Sequence, residues 1–249
     1  YKKYEKVQNN IGDTMKHEID LANFSLRTDL MIETIDTKND KIKETEDIYV
    51  TEIKVDESLS KKIERKIGNY ITIEFQDVTD IDNQTALEKV FKKYLKKLID
   101  KKYKRGLIIG LGNINSTPDS LGPKVIESIV VTTHILEIAP LDEGFSEIAA
   151  IAPGVTGDTG IETYEIIKSM IDIIKPDYVI AIDALATLSI ERLNKTIQMS
   201  DTGIKPGSGI GNFRKEISKE TLGIPVISIG IPTVLDAVSI VTDTFNYIY

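Results

Sequence analysis

Two aspartates stand where this sequence can do hydrolytic chemistry. Asp119 lies in Thr117-Pro118-Asp119-Ser120-Leu121-Gly122-Pro123, shortly after the glycine-rich run Gly110-Leu111-Gly112-Asn113. Asp183 follows five consecutive apolar residues, Tyr178-Val179-Ile180-Ala181-Ile182. A carboxylate carried into an apolar setting is costly unless it is paired, hydrogen-bonded or put to use. If both groups face one crevice, their repulsion splits their titrations. One can then activate water while the other, protonated, donates to a scissile carbonyl. Each has a plainer reading too. Asp119 at a helix start is a natural N-cap, and Asp183 can be a second cap or a buried hydrogen-bonding group.

Other constellations compete and fall short. The loop after Ile109 begins as G-x-G-x-x-G, but Asn115 occupies the third glycine position and the dinucleotide fingerprint fails. Asp-Thr-Gly occurs at Asp158-Thr159-Gly160 and at Asp201-Thr202-Gly203. That tripeptide marks two-lobed β proteases, whereas the texture here is α/β, so both copies read as turns. Gly207-Ser208-Gly209-Ile210-Gly211 offers backbone N–H groups to an anion. No Lys-Ser/Thr pair follows it, so it reads as a loop over the site. The amides of Gly110–Asn113 and Gly207–Gly211 are candidates for polarising a carbonyl. Only two histidines are present, His17 and His134, which leaves a Ser-His-Asp triad or a His-rich zinc site poorly supplied. There is no cysteine, which excludes disulfides, thiolate metal sites and a cysteine nucleophile.

The elements that must position these groups are legible from periodicity. After Arg105, short apolar runs bounded by glycine or proline alternate with helical stretches. The runs are Leu107–Ile109, Ile148–Ile151, Tyr178–Ile182 and Pro225–Ile229, and helices are predicted near 120–134, 160–175 and 234–248. Near-continuous apolar strands separated by helices indicate an α/β fold with a parallel sheet covered on both faces, whose ligands bind beyond the strands' carboxyl ends. Residues 105–249 are therefore expected to form the catalytic core. Residues 19–104 are expected to form a smaller α+β part, with strands at 48–50 and 70–73 and a lysine-rich helix over 83–102. That helix's lysines read as a solvated face. Thr51-Glu52-Ile53 sits in a predicted strand, where the ladder shields its backbone. Residues 1–18 are polar, without periodic apolar spacing, and read as a flexible pro-segment. The chain starts at Tyr1 without methionine and ends at Tyr249 inside an apolar helical run, so residues are expected to be missing at both ends. The net charge of −8 argues against nucleic acid as the main partner, and no apolar run reaches the ~18 residues of a membrane span.

Together these motifs resemble the germination protease family. The likeness rests on the Gly110–Asn113 and Thr117–Pro123 blocks, Pro153-Gly154-Val155-Thr156-Gly157, Thr159-Gly160-Ile161-Glu162-Thr163, and Ile182-Asp183-Ala184-Leu185-Ala186. Ser189-Ile190-Glu191-Arg192, Ile197–Ile204, Pro206-Gly207-Ser208-Gly209, Ser218–Val226, Val234–Val238 and Arg27-Thr28-Asp29-Leu30 extend it over roughly residues 18–249. The resemblance implies a three-layer α/β/α sandwich with a mostly parallel sheet, phosphorylase/hydrolase-like and related to hydrogenase-maturation peptidases. It implies an atypical aspartic endopeptidase in which Asp119 and Asp183 are catalytic and no cofactor is needed. The alternative is a metal-dependent maturation-type peptidase on the same fold, although no histidine equivalent to those relatives' ligand is apparent. The family degrades small acid-soluble spore proteins during germination, as a homotetramer in the cytoplasm of the spore core or forespore, with no membrane and no nucleic acid required. It is made as a self-processing zymogen cut between glutamate and an apolar residue, which places processing at Glu18-Ile19.

Overall fold

The structure, a computed structural model, describes residues 28–35, 41–138, 144–207 and 214–248. Its strands are Lys41–Lys43 (β1), Ile48–Val55 (β2), Gly68–Phe75 (β3), Arg105–Gly110 (β4), Glu147–Ile151 (β5), Tyr178–Thr187 (β6), Thr196–Ser200 (β7) and Val226–Leu235 (β8). The helices are Glu57–Ile63 (α1), Ile81–Leu98 (α2), Leu121–Ser128 (α3), Thr156–Thr159 (α4), Thr163–Ile174 (α5), Lys219–Leu222 (α6) and Ala237–Ile248 (α7). The predicted pro-segment, with Glu18 and Ile19, lies outside the described residues, as does Gly209.

All eight strands join one sheet in the order β1-β2-β3-β7-β8-β6-β4-β5. β5, β4, β6 and β8 are mutually parallel, and every pairing from β8 through β7, β3 and β2 to β1 is antiparallel. Following those senses, only β2 and β7 oppose the other six strands, so the sheet is mixed and mostly parallel. The sheet does not stop at residue 104. β3 pairs with β7 from Tyr70↔Ser200 to Glu74↔Thr196, which carries it from the N-terminal strands into the parallel half.

Alternation within each strand sends neighbouring residues to opposite layers. Ile108, Ile180 and Ile182 pack with Val90 and Tyr94 of α2 and with Val125 and Ile126 of α3. Leu107, Ile109, Val179 and Ala181 pack with Ile167 and Ile171 of α5 on the other side. Burial of each such side chain contributes ~1.5–3 kcal/mol. At the antiparallel end Met31, Ile53, Val55 and Tyr70 form a smaller cluster with Leu59 and Ile63 of α1. The helices start where the sequence supplies caps: Asp56 accepts the Leu59 N–H at α1, and Asp80 accepts those of Asp82 and Asn83 at α2.

Three features differ from the sequence-based expectation. The predicted helix over 120–134 ends at Ser128, and Ile129 turns extended with ψ 144°. The N–H groups of the β-branched Thr132 and Thr133 bond Ile148 O instead of a helix ladder. Strands β1 and β7 have no counterpart among the predicted elements, because one is a three-residue lysine-bearing edge and the other interleaves Thr196, Gln198 and Ser200 with its apolar residues. Finally, β6 does not stop at Ile182. β8 remains its partner through a register shift at Leu185/Ala186 out to Thr187, so Asp183 lies inside the strand. β4, by contrast, ends at the Gly110↔Ile182 pair. Asp183 is thus the first residue of β6 beyond the end of its shorter neighbour. β4 is also where strand order reverses, toward β5 on one side and β6 on the other, the switch point at which such sheets open a crevice.

Candidate active site

The turn carrying Asp119 is set by glycines. An ideal Cβ on Gly110 would sit 2.2 Å from Gly122 O, and one on Gly122 would sit 2.2 Å from Leu111 O, so the end of β4 and the start of α3 touch backbone to backbone. Gly112 has φ +111°, and a Cβ there would lie 2.0 Å from Asp119 O. This close approach lets the Asn113 N–H donate to both Asp119 Oδ2 and Asp119 O, each at 3.0 Å. Asp119 itself closes the 3-10 turn Thr117–Asp119, its N–H donating to Ser116 O at 2.8 Å. It is not the cap of α3. Ser120 holds that position, without a side-chain cap bond. The amide of Leu111 is spent on Ile182 O at 2.8 Å, so Gly110, Gly112 and Asn113 serve the site by fixing Asp119. A Gly112→Ala variant combines a strained φ with this overlap. We expect it to lose ~2 kcal/mol or more of stability in thermal unfolding and, through displaced Asp119, ~10²-fold in the rate of whatever chemistry the aspartate pair carries.

Asp183 projects from β6, 5% exposed, its Oδ1 accepting the N–H of Ala184 at 2.9 Å. Burial, reinforced by the negative charges of Asp119 and then Asp29, pushes its carboxyl up to about 8, against the Ala184 hydrogen bond and the charge of Arg214. Asp119 is also raised by burial, but the Asn113 N–H and Arg214 act to favour its charged form. The two aspartates line one cleft of about 650 Å³, together with Asp29, Arg65, Ser200 and Gly207. The arrangement is a carboxyl pair in unequal environments, able to hold one proton between them at neutral pH.

Two further charged residues act on the pair, Asp29 and Arg214, and the sequence motifs assign neither a chemical role. Asp29 lies in the Arg27–Leu30 motif and is tied to the open edge of β6. Its N–H donates to Ala186 O at 3.0 Å, the Ala186 N–H donates to Asp29 Oδ2 at 2.8 Å, and Gln198 Nε2 donates to Asp29 O at 2.9 Å. Nothing in the local sequence foretells this contact across 157 residues. The remaining candidates fall elsewhere. His134 is exposed and does not line the cleft. Asp201 accepts from Asn69 N and Nδ2, whereas the other Asp-Thr-Gly copy is not the expected turn: Asp158 and Thr159 end the short helix α4 and Gly160 is its left-handed cap. Glu52 lies within β2 and pairs with Lys97 at 2.7 Å.

The germination protease family profile matches residues 17–249. A germination protease of Bacillus cereus is 49% identical over 255 residues, covering 94% of this chain and 70% of that protein. Those of Bacillus thuringiensis subsp. konkukian and Bacillus anthracis are each 48% identical with the same coverage. Among solved structures, the NiFe hydrogenase maturation protease HycI from Thermococcus kodakarensis KOD1 aligns with 56% of this chain and 80% of its own, at 19% identity and a TM-score of 0.35.

Proposed function

The chain belongs to the germination protease family, and from that premise we propose that it is an endopeptidase in which Asp119 is the general base and Asp183 the general acid. The observation that supports this most is the buried Asp183 carboxyl, raised to about 8 beside the less buried Asp119 in the same cleft. At neutral pH Asp183 holds its proton and Asp119 ionises first. Asp119 takes a proton from water as the water oxygen attacks the scissile carbonyl carbon, and the Asp183 O–H protonates the carbonyl oxygen. The resulting diol collapses as Asp119 returns its proton to the departing amine and Asp183 recovers one from a hydroxyl. Among the described residues no three His, Cys, Asp or Glu side chains are grouped to hold an ion, and no step is routed through one.

The proposed substrates are small acid-soluble spore proteins, met in the cytoplasm of the spore core by a homotetramer. The resemblance carries those three statements, and light scattering tests the last. We propose self-processing as well. Thr28, at the start of the described chain, accepts from the cleft residue Arg65, and Glu18 lies ten residues upstream. Ten residues reach at most ~35 Å, and Asp29, next to Thr28, lines the same cleft as both aspartates. Incubating the purified chain should give a new N-terminus at Ile19, read by mass spectrometry, with none from Asp183→Asn. Cleavage that persists in that variant would assign the cut to another agent and overturn the reading.

A further inference from the structure

The cleft that gathers Asp29, Asp119 and Asp183 is also lined by Arg65. Its guanidinium is partly buried and held in place by one bond, Nη2 donating to Thr28 O at 2.6 Å. No carboxylate among the described residues forms an ion pair with it. Its neighbour Lys66, by contrast, is taken up by Glu216 at 2.7 Å and Glu220 at 2.9 Å. A guanidinium carries five N–H donors in a planar fork matched to a carboxylate, and the bond to Thr28 uses one of them.

Beside it the cleft is lined with hydroxyls. Tyr70 OH donates to Lys66 O at 3.1 Å and lies within the electrostatic reach of Arg65. Ser200 Oγ is 2.9 Å from Thr202 Oγ1 and 2.8 Å from Ser228 Oγ, and both serines are buried, at 2% and 9% exposure. Hydroxyl hydrogens rotate, so such a chain can turn its donors toward an anion. We propose that this part of the cleft is the subsite for a carboxylate side chain of the peptide substrate, with Arg65 as the specificity-determining residue that binds it. In a chain of net charge −8, whose cleft gathers three of its acidic side chains, an acidic peptide is otherwise repelled. A fixed guanidinium offsets that repulsion and sets which residue lies next to the reacting pair.

The inference rests on the proposed peptidase reading, and the experiment separates the two. kcat/KM is measured with a peptide spanning residues 14–24 of this chain and with its Glu18→Gln and Asp20→Asn forms. The wild-type enzyme should favour the acidic peptide over one of the amide forms by about 10–100-fold, the range of a charge-assisted hydrogen bond. Arg65→Gln should remove that preference, mainly through KM, so the acid-to-amide ratio measured within the variant falls toward one. Arg65→Lys should retain part of it as a point charge. Ser228→Ala, which leaves the guanidinium untouched, should lower the preference by about threefold, and it provides a second test if Arg65→Gln fails to fold. An acid-to-amide ratio in Arg65→Gln within twofold of wild type overturns the subsite, as does a wild-type enzyme indifferent to both substitutions. Failure to cleave any of the three peptides overturns the peptidase reading itself.

Discussion

Asparagine at position 183 is expected to lower kcat/KM for peptide cleavage by ~10²–10⁴-fold, the range associated with a positioned acid–base group. The variant keeps the acceptor that bonds Ala184 N–H and loses only the titrating proton. Asp119→Asn should cost as much, since its carboxylate is the group we assign to the water. The double variant should be hardly worse than either single one, because a pair that shares one proton fails as a unit. Circular dichroism must show native spectra for each. Activity within tenfold of wild type in either single variant would remove the pair from the chemistry.

The second expectation has the opposite sign and concerns stability. A carboxyl near 3.9 in the unfolded chain is raised to about 8 by its setting in the folded protein. The folded state therefore binds the proton more tightly between those values. The contribution is fully present below the unfolded pKa and is lost as pH rises from about 4 toward 8. Asp183→Asn removes that titration. Its Tm should match wild type near pH 4 and exceed it at pH 8. Each tenfold gain in proton affinity on folding is worth ~1.4 kcal/mol, or ~3 °C for a chain of this size. Thermal melts from pH 4.5 to 8 decide it, and a Tm difference that does not grow with pH would show that Asp183 is not held protonated by the fold. A dead enzyme that is also the more stable one is the pattern expected of a residue kept for function at a cost in stability.

Much of this architecture is legible in the residues alone. The runs at Leu107–Ile109 and Tyr178–Ile182 are buried on both faces and carry the plain apolar signature of central parallel strands. Asp183 stands out because it follows such a run with a charge, whereas Asp119 sits in a polar turn and is marked only by the glycine and proline residues around it. The less legible parts depend on distant partners. β6 runs past Asp183 only because β8 keeps pairing with it, and nothing in Asp183-Ala184-Leu185 states that. β7 is hidden by Thr196 and Gln198, polar residues that break the apolar signature of a strand. The Thr196 side chain is buried, while Gln198 receives Met31 N–H at 2.5 Å and donates to Asp29 O. The need for glycine at 112 is likewise a matter of what lies opposite it, the Asp119 carbonyl.

The pairing of β3 with β7 makes the molecule indivisible at the point where its texture changes. Five rungs there join a strand contributed before residue 76 to one contributed after residue 195. Severing the chain at residue 104 would strip β7 of that neighbour, lay bare the ladder groups of Ile197 and Met199, and turn a closed flank into an adhesive edge. The acid-bearing half is therefore not an autonomous module with an ornament attached. Its outermost antiparallel strand is finished by residues translated more than a hundred positions earlier, so synthesis, melting and any dissection of the polypeptide must treat the two halves as a single cooperative body.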